Sequence, residues 1–312
     1  MKKYLVLAGG SVKGAFQAGV IKAVFESGFV PDSIYGVSAG SMNASFLINN
    51  FGKQFTDFNI TNTEKAANDL CNFWIEQIDQ PDKLALRRPT YELGFGAIRG
   101  NYEGLLDTSP LRKLLHENVD VDNLKASPIK LKVGAVDIIN GDIEYVEPER
   151  EHFLDFVMAS SAIPILMPVV NIGGHRKQAY LDGGLRDVAP IKQAIQDGAD
   201  EIICIACHTK EVDKGYFKYG NLLSLVDRVM DIAVNECLNA DLEYALTINE
   251  FLPEDGSIVE EGPLKGKRKI KLTIIRPQKP LNVDIQGFDS DDIRRLIGVG
   301  YETGRQALSG EA

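Results

Sequence analysis

Short apolar runs alternate with glycine turns and helix-patterned stretches through the first fifty residues, and this alternation most limits what the chain can fold into. An apolar run at 4–8 passes through a glycine turn into a helical pattern at 14–27. There Phe16, Val20, Ala23 and Val24 recur at three- and four-residue spacing until Ser27-Gly28 ends the helix. A second apolar run at 33–37 leads through another tight turn into a helix at 40–49. Strands and helices in strict succession predict an α/β fold, with a parallel sheet and helices on its faces.

The rest of the chain extends this scheme. A helix is expected at 61–79, with Leu70, Phe73, Trp74 and Ile78 on its buried side. Residues 86–107, "LRRPTYELGFGAIRGNYEGLLD", carry four glycines and three aromatic rings without a period, which fits a long ordered loop or a mobile cover over a site. A helix at 109–118 follows, with Thr108 or Ser109 as cap and Pro110 in its first turn. Next come a hairpin of 129–138 and 143–147 turned by Asn140-Gly141, and a helix at 151–161 broken by Ala162-Ile163-Pro164. Strands at 166–172 and 177–181 flank Gly173-Gly174, and a short helix at 190–197 leads to a buried strand at 201–207. Beyond it lie an amphipathic helix at 221–250, a polar loop at 256–269, a strand at 270–275 and a last helix at 290–308. The expected organisation is a core over 1–208, with 209–312 a helical extension packed on the same domain.

Composition narrows the function classes. The 312 residues are 44% hydrophobic and 25% charged, the usage of an ordinary globular protein with a sizeable core. A formal net charge of −10 argues against nucleic acid as a partner and against electrostatic docking on anionic membranes. Transient contact with a membrane or micelle surface stays open. No apolar run approaches 18 residues, so no transmembrane helix is expected. The opening "MKKYLVLAGGSVKGAF" has an apolar part, Tyr4 to Ala8, too short for a secretory signal, and reads as the first strand of a cytoplasmic protein. Four cysteines in such a chain make no disulfide framework. Cys204 and Cys207 form a CxxC, but on one strand they point to opposite faces, so both are expected in the core, as are Cys71 and Cys237. Neither a metal nor any other cofactor is expected.

Three stretches carry chemistry. In "SIYGVSAGSMNA" one serine, Ser38, sits between Gly36 and Gly40 where a strand turns into a helix, the pattern of a nucleophile elbow. In "VLAGGSVKGAF" a glycine-rich turn around Gly9, Gly10 and Gly14 joins the first strand to the first helix, and its free N–H groups form an anion cradle. Neither the P-loop spacing nor the dinucleotide spacing is present, which leaves a cradle suited to a developing oxyanion. Lys13 beside it either adds positive potential or is a solvated lysine of a first helical turn. The third stretch is Asp182-Gly183-Gly184 at a strand end, free of steric obstruction.

Taken in this order, "GGSVKG" at 9–14, "GVSAG" at 36–40, "ASSAIPILMPVV" at 159–170 and "DGG" at 182–184 resemble the patatin-like phospholipase family over about residues 3–208. The resemblance implies a three-layer α/β/α fold with a mixed, mainly parallel central sheet. It implies hydrolysis of lipid acyl esters by a Ser–Asp dyad, with Ser38 as nucleophile, Asp182 as base and the amides of Gly9, Gly10 and Ser11 as oxyanion hole. Lys13, Gly14, Gly36, Gly40, Gly183 and Gly184 support these motifs. Two positions depart from the family pattern. Ser11 stands where a third glycine is usual, at a cost of about 1 kcal/mol if the position needs a positive φ. Val188 stands in a segment that often holds an asparagine before the proline, which bears on the positioning of Asp182.

The chemistry is coherent from the residues alone. A serine hydroxyl needs a base, and an aspartate near its reference pKa of about 3.9 is a weak one until burial raises it. Two other readings stand beside the dyad. His208 ends the strand at 201–207 and completes the chain order Ser–Asp–His of a triad esterase. A lipid-binding or regulatory protein with a weakly active site is the third.

Overall fold

The computed structural model describes residues 1–54, 60–89, 104–175, 177–212 and 222–310. Of the expected cover at 86–107, residues 90–103 lie outside the described residues, and its two ends pair as the short strands β3 (Leu86–Arg87) and β4 (Leu106–Asp107).

The main sheet is built from β1 (Lys3–Leu7), β2 (Ser33–Val37), β5 (Lys130–Asp137), β6 (Ile143–Val146), β7 (Val170–Asn171), β8 (Ala179–Asp182), β9 (Glu201–Ile205) and β10 (Lys271–Ile275). Its order is β10-β9-β1-β2-β5-β8-β7, with β6 also paired to β5. The run from β10 to β5 is parallel, while β6 and β8 are antiparallel to β5 and β7 is antiparallel to β8. The sheet is therefore mixed and mainly parallel, as the resemblance implies.

Helices cover both faces, which is why the central strands read as nearly unbroken apolar runs. Leu5, Leu7, Ile34, Ile203 and Ile205 pack into one core with α1 (Gly14–Glu26), α2 (Ala39–Gln54) and α3 (Ile60–Gln77). The alternate residues Tyr4, Val6, Tyr35, Ile202 and Cys204 form a second core. Further along the chain come α4 (Ser109–Asn118), α5 (Val121–Ala126), α6 (Phe153–Ser160), α7 (Ile191–Gln196), α8 (Leu222–Glu250) and α9 (Ser290–Ser309). The second core is closed by Ile191 and Ala194 of α7 and by Leu238 and Leu242 of α8. Loss of a fully buried ring such as Phe16 or Phe25 would cost about 3–5 kcal/mol.

The chain after 208 supplies both a strand and a tightly packed helix. β10 pairs in register with β9 at the sheet edge. α9 crosses α1 at glycines, where a Cβ on Gly19 would lie 2.0 Å from the Ile297 carbonyl and one on Gly300 2.0 Å from that of Phe16. No helix among the described residues is long and apolar enough to cross a membrane.

Three sequence expectations are corrected. The strand expected at 166–172 shrinks to Val170–Asn171, because Ile165, just past Pro164, takes a left-handed φ of 69° and keeps the segment irregular. The strand at 201–207 stops at Ile205, so Cys207 lies past its end, although both CxxC thiols are buried. Cys237 is exposed, on the outer side of α8. The short helix α5, capped by the Asp120 carboxylate accepting from the Asp122 amide, had no periodic pattern to announce it.

Candidate active site

Register brings the motif residues to one edge. Leu7 is level with Gly36 and Ile205, so the turns after β1, β2 and β9 open side by side at the carboxyl ends of the parallel strands. Ligands of open α/β sheets bind at that edge. Val37 pairs with Gly134 of β5, and the next residue of β5, Ala135, pairs with Asp182. Ser38 and Asp182 thus approach each other across β5.

Ser38 has φ 54°, the left-handed strain of a nucleophile elbow in a non-glycine residue. The flanking glycines answer to sterics. A Cβ on Gly36 would meet the Gly40 carbonyl oxygen at 2.6 Å, and one on Gly40 would meet that of Leu7 at 2.1 Å. Hydrogen bonds hold the strained residue from both sides. Its N–H donates to Ser160 Oγ at 3.0 Å, and its carbonyl accepts from Ser161 Oγ, Ser41 Oγ and the Ser41 amide. The neighbouring Ala162 carbonyl accepts from the Asp182 amide at 3.0 Å, so residues 160–162 tie the serine turn to the aspartate strand. Ser160 and Ser161 stand in the quoted "ASSAIPILMPVV" stretch, yet nothing in the sequence distinguishes their hydroxyls from those of core serines.

Asp182 is buried, and its Oδ1 accepts from the Gly184 amide at 2.8 Å. Burial pushes its carboxyl up to about 7, against the opposing pulls of the Gly184 amide and the Ser38 hydroxyl. Gly183 passes so close to β5 that a Cβ would lie 2.4 Å from the Gly134 carbonyl oxygen.

The glycine turn faces the same cavity, but its three amides are not equivalent. Gly9 donates to the Val188 carbonyl at 3.0 Å, so its N–H is spent and Gly9 leaves the expected oxyanion set. The amides of Gly10 and Ser11 have no acceptor among the described residues. Ser11 does take a positive φ, 51°. The turn rests on Cys207, since a Cβ at Gly10 would fall 2.4 Å from Cys207 Cβ. Burial there pushes the Cys207 thiol up to about 12. Val188 meets the turn through its carbonyl and through its side chain, whose Cγ1 would lie 3.8 Å from a Cβ on Gly9.

A buried polar chain runs beneath both turns. Trp74 Nε1 donates to Asn43 Oδ1 at 2.8 Å, and Asn43 Nδ2 donates to Gln17 Oε1 at 2.9 Å and to the Gly14 carbonyl. Gln17 Nε2 in turn donates to the carbonyls of Ala8 and Ile205. The chain spans α3, α2 and α1 and fastens the ends of β1 and β9. Gly14 leaves room for it, since a Cβ there would press 2.6 Å from the Trp74 ring.

The cavity above these turns has a volume of about 290 Å³. Ser38, Asp182, Gly10 and Ser11 line it together with apolar side chains including Ile163, Leu185, Val234 and Leu281. Asp227, Arg228 and Asp231 of α8 also line it, polar residues that the sequence alone did not single out. Lys13 is partly buried and paired, its Nζ 2.9 Å from Asp231 Oδ1. His208 lies in the same wall, but its Nε2 faces Asp231 Oδ1 at 3.3 Å and its buried Nδ1 has no partner among the described residues. Burial and the Lys13 charge hold its pKa below the usual imidazole value, against the pull of Asp231. Neither ring nitrogen of His208 hydrogen-bonds to Ser38 or Asp182.

A strained serine after one strand, a buried aspartate level with it two strands away and open amides beside them meet at one edge of an α/β sheet. The chain belongs to the patatin-like phospholipase family, whose model matches residues 5–195. It is 27% identical over 327 aligned positions to the uncharacterized protein YjjU of Escherichia coli (strain K12), covering 98% of this chain and 76% of that one. Human GIVD cytosolic phospholipase A2, solved in complex with methyl gamma-linolenyl fluorophosphonate, shares the fold. Its TM-score is 0.53 at 11% identity, over 99% of this chain and 58% of that chain. VipD from Legionella pneumophila matches at a TM-score of 0.43 and 14% identity, over 99% of this chain and 66% of that one. The chain thus spans 58% and 66% of these two solved chains.

Proposed function

We propose that the protein is a serine acyl-hydrolase that cleaves carboxylic ester bonds of lipids, namely phospholipids, lysophospholipids or acylglycerols. The observation that carries this reading is Ser38, strained at a strand-to-helix turn, beside a buried Asp182 whose pKa is raised to about 7. A carboxylate of that basicity is matched to proton transfer near neutrality. Asp182 takes the Ser38 proton as Oγ attacks the ester carbonyl, and the Gly10 and Ser11 amides donate to the oxygen that becomes negative. The tetrahedral species collapses to an acyl-serine, and the leaving alkoxide takes the proton from Asp182. Water, deprotonated by the same carboxylate, then attacks the acyl-serine, and Ser38 Oγ leaves with the proton returned from Asp182, releasing the fatty acid. Membership in a phospholipase family and the apolar cavity wall support a lipid acyl group as the part that is bound.

A fluorophosphonate probe and a set of p-nitrophenyl esters of graded chain length test the proposal. Ser38→Ala should abolish both labelling and hydrolysis with its melting temperature within a few degrees of the parent. His208→Ala should change kcat by less than about tenfold, whereas a histidine base would cost several orders of magnitude. Labelling that persists without Ser38 would refute the assignment. An unlabelled parent protein would favour a lipid-binding role.

A further inference from the structure

Asp231 is one carboxylate shared among three donors. Its Oδ1 lies 2.9 Å from Lys13 Nζ and 3.3 Å from His208 Nε2, and its Oδ2 lies 3.5 Å from Arg228 Nη1. Lys13 and Asp231 are each about three-quarters buried, with side-chain exposures of 22% and 26%. The two far partners are the side chains that bracket the glycine turn. Lys13 closes it, since its amide donates to the Gly10 carbonyl at 3.0 Å. His208 follows Cys207, the residue on which Gly10 rests. Asp231 itself belongs to α8, outside the stretch matched by the family model.

From this geometry we propose that Asp231 is a positioning residue, which holds the oxyanion turn from the α8 side by gripping Lys13 and His208 together. The inference rests on the hydrolase reading above. The turn needs such a grip, because Ser11 sits in a strained left-handed conformation and the Gly10 and Ser11 amides make no hydrogen bond of their own among the described residues. A backbone that is strained and unpaired relaxes unless its surroundings fix it. Displacement of an oxyanion donor by about 1 Å is worth up to about a hundredfold in rate. A different role for the same charges gives the opposite sign. If Lys13 acted as a free positive charge on the oxyanion, Asp231 would damp it, and removing Asp231 would speed the reaction.

The test uses the full chain and two independent readouts. One is hydrogen exchange at the Lys13 amide, which needs no catalysis, and the other is the rate of Ser38 phosphonylation together with kcat and KM for a p-nitrophenyl ester. Asp231→Ala should speed exchange at Lys13 by tenfold or more and lower both phosphonylation and kcat by roughly 10- to 100-fold, with KM within about threefold. Asp231→Asn should restore most of the rate, since an amide oxygen still accepts from Lys13 and His208. Lys13→Met should match Asp231→Ala, and the double variant should be no worse than the poorer single one. Should Asp231→Ala fail to fold, Lys13→Met and Asp231→Asn carry the same comparison. Unchanged exchange and rates in Lys13→Met, or a faster reaction in either Asp231 variant, would overturn the positioning role while leaving Ser38 in place. A parent protein that no fluorophosphonate labels would overturn the hydrolase reading itself.

Discussion

Asp182→Asn should destroy activity and stabilise the protein at once. The carboxyl has a pKa of about 7 in the folded chain against an ordinary 3.8, because burial disfavours its charged form. At about 1.36 kcal/mol per pH unit, ionising it in place costs about 4 kcal/mol of folding free energy above pH 7. The sign follows from proton uptake. The folded state holds the proton more tightly than the unfolded one, so the cost is absent below about pH 4, grows between pH 4 and 7, and is complete above that range. Asparagine is nearly isosteric, keeps an oxygen to accept from the Gly184 amide at 2.8 Å, and carries no charge to desolvate. In a chain of this size about 4 kcal/mol corresponds to a rise in melting temperature of up to roughly 8 °C. Thermal unfolding of the two proteins at pH 4.5 and pH 8 reads the difference, which should be about a quarter of its full size at the lower pH and complete at the higher. An Asp182→Asn variant no more stable than its parent at pH 8, or equally stabilised at both pH values, would refute the buried-charge argument. The variant's kcat should fall at least 10²- to 10⁴-fold if Asp182 is the base, as proposed.

Other expectations follow from the same geometry. In the parent protein kcat/KM should rise with pH through about 7 as Asp182 loses its proton, and an acidic limb near pH 4 would contradict the raised pKa. Ser11→Gly should keep kcat within about threefold, because the backbone amide is the donor, while Ser11→Val should lose more than about 1 kcal/mol in urea melts from a β-branched residue at φ 51°. Ser160→Ala leaves the Ser38 amide without its 3.0 Å acceptor in a buried place, so it should cost about 1–3 kcal/mol in the same assay and slow labelling by the probe.

The raised pKa also changes how the two candidate bases, Asp182 and His208, can be told apart. With Asp182 at about 7 and the His208 imidazole held below its usual value by burial and Lys13, the carboxylate no longer titrates far below the imidazole as an ordinary aspartate would. Mutation separates them where titration does not. The structure adds its own distinction, since the Nε2 of His208 is engaged by Asp231.

Local sequence was enough for most of the elements and for the chemistry-bearing turns, though not for α5 or the irregular stretch before Val170. Gly36 beside Ser38 encodes an elbow because only a residue without a Cβ allows the 2.6 Å approach to the Gly40 carbonyl within one turn of chain, whereas the 2.1 Å approach of Gly40 is to Leu7 on β1 and needs the sheet. The strand–helix alternation likewise follows from periodicity, and the resemblance carried by four short motifs extends it to a mixed, mainly parallel sheet. What the sequence left open depends on groups far apart along the chain. Gly9 loses its free amide to Val188, almost 180 residues away, and Lys13 finds its partner in Asp231, more than 200 residues on. The basicity of Asp182 is set by packing that removes water from its carboxyl, and spacing along the chain carries no information about that. The grip of Ser160 on the Ser38 amide is likewise invisible in a list of small polar residues. Periodicity and sterics act over a few residues and can be read from the chain, whereas hydrogen-bond partners and desolvation exist only once the sheet has closed.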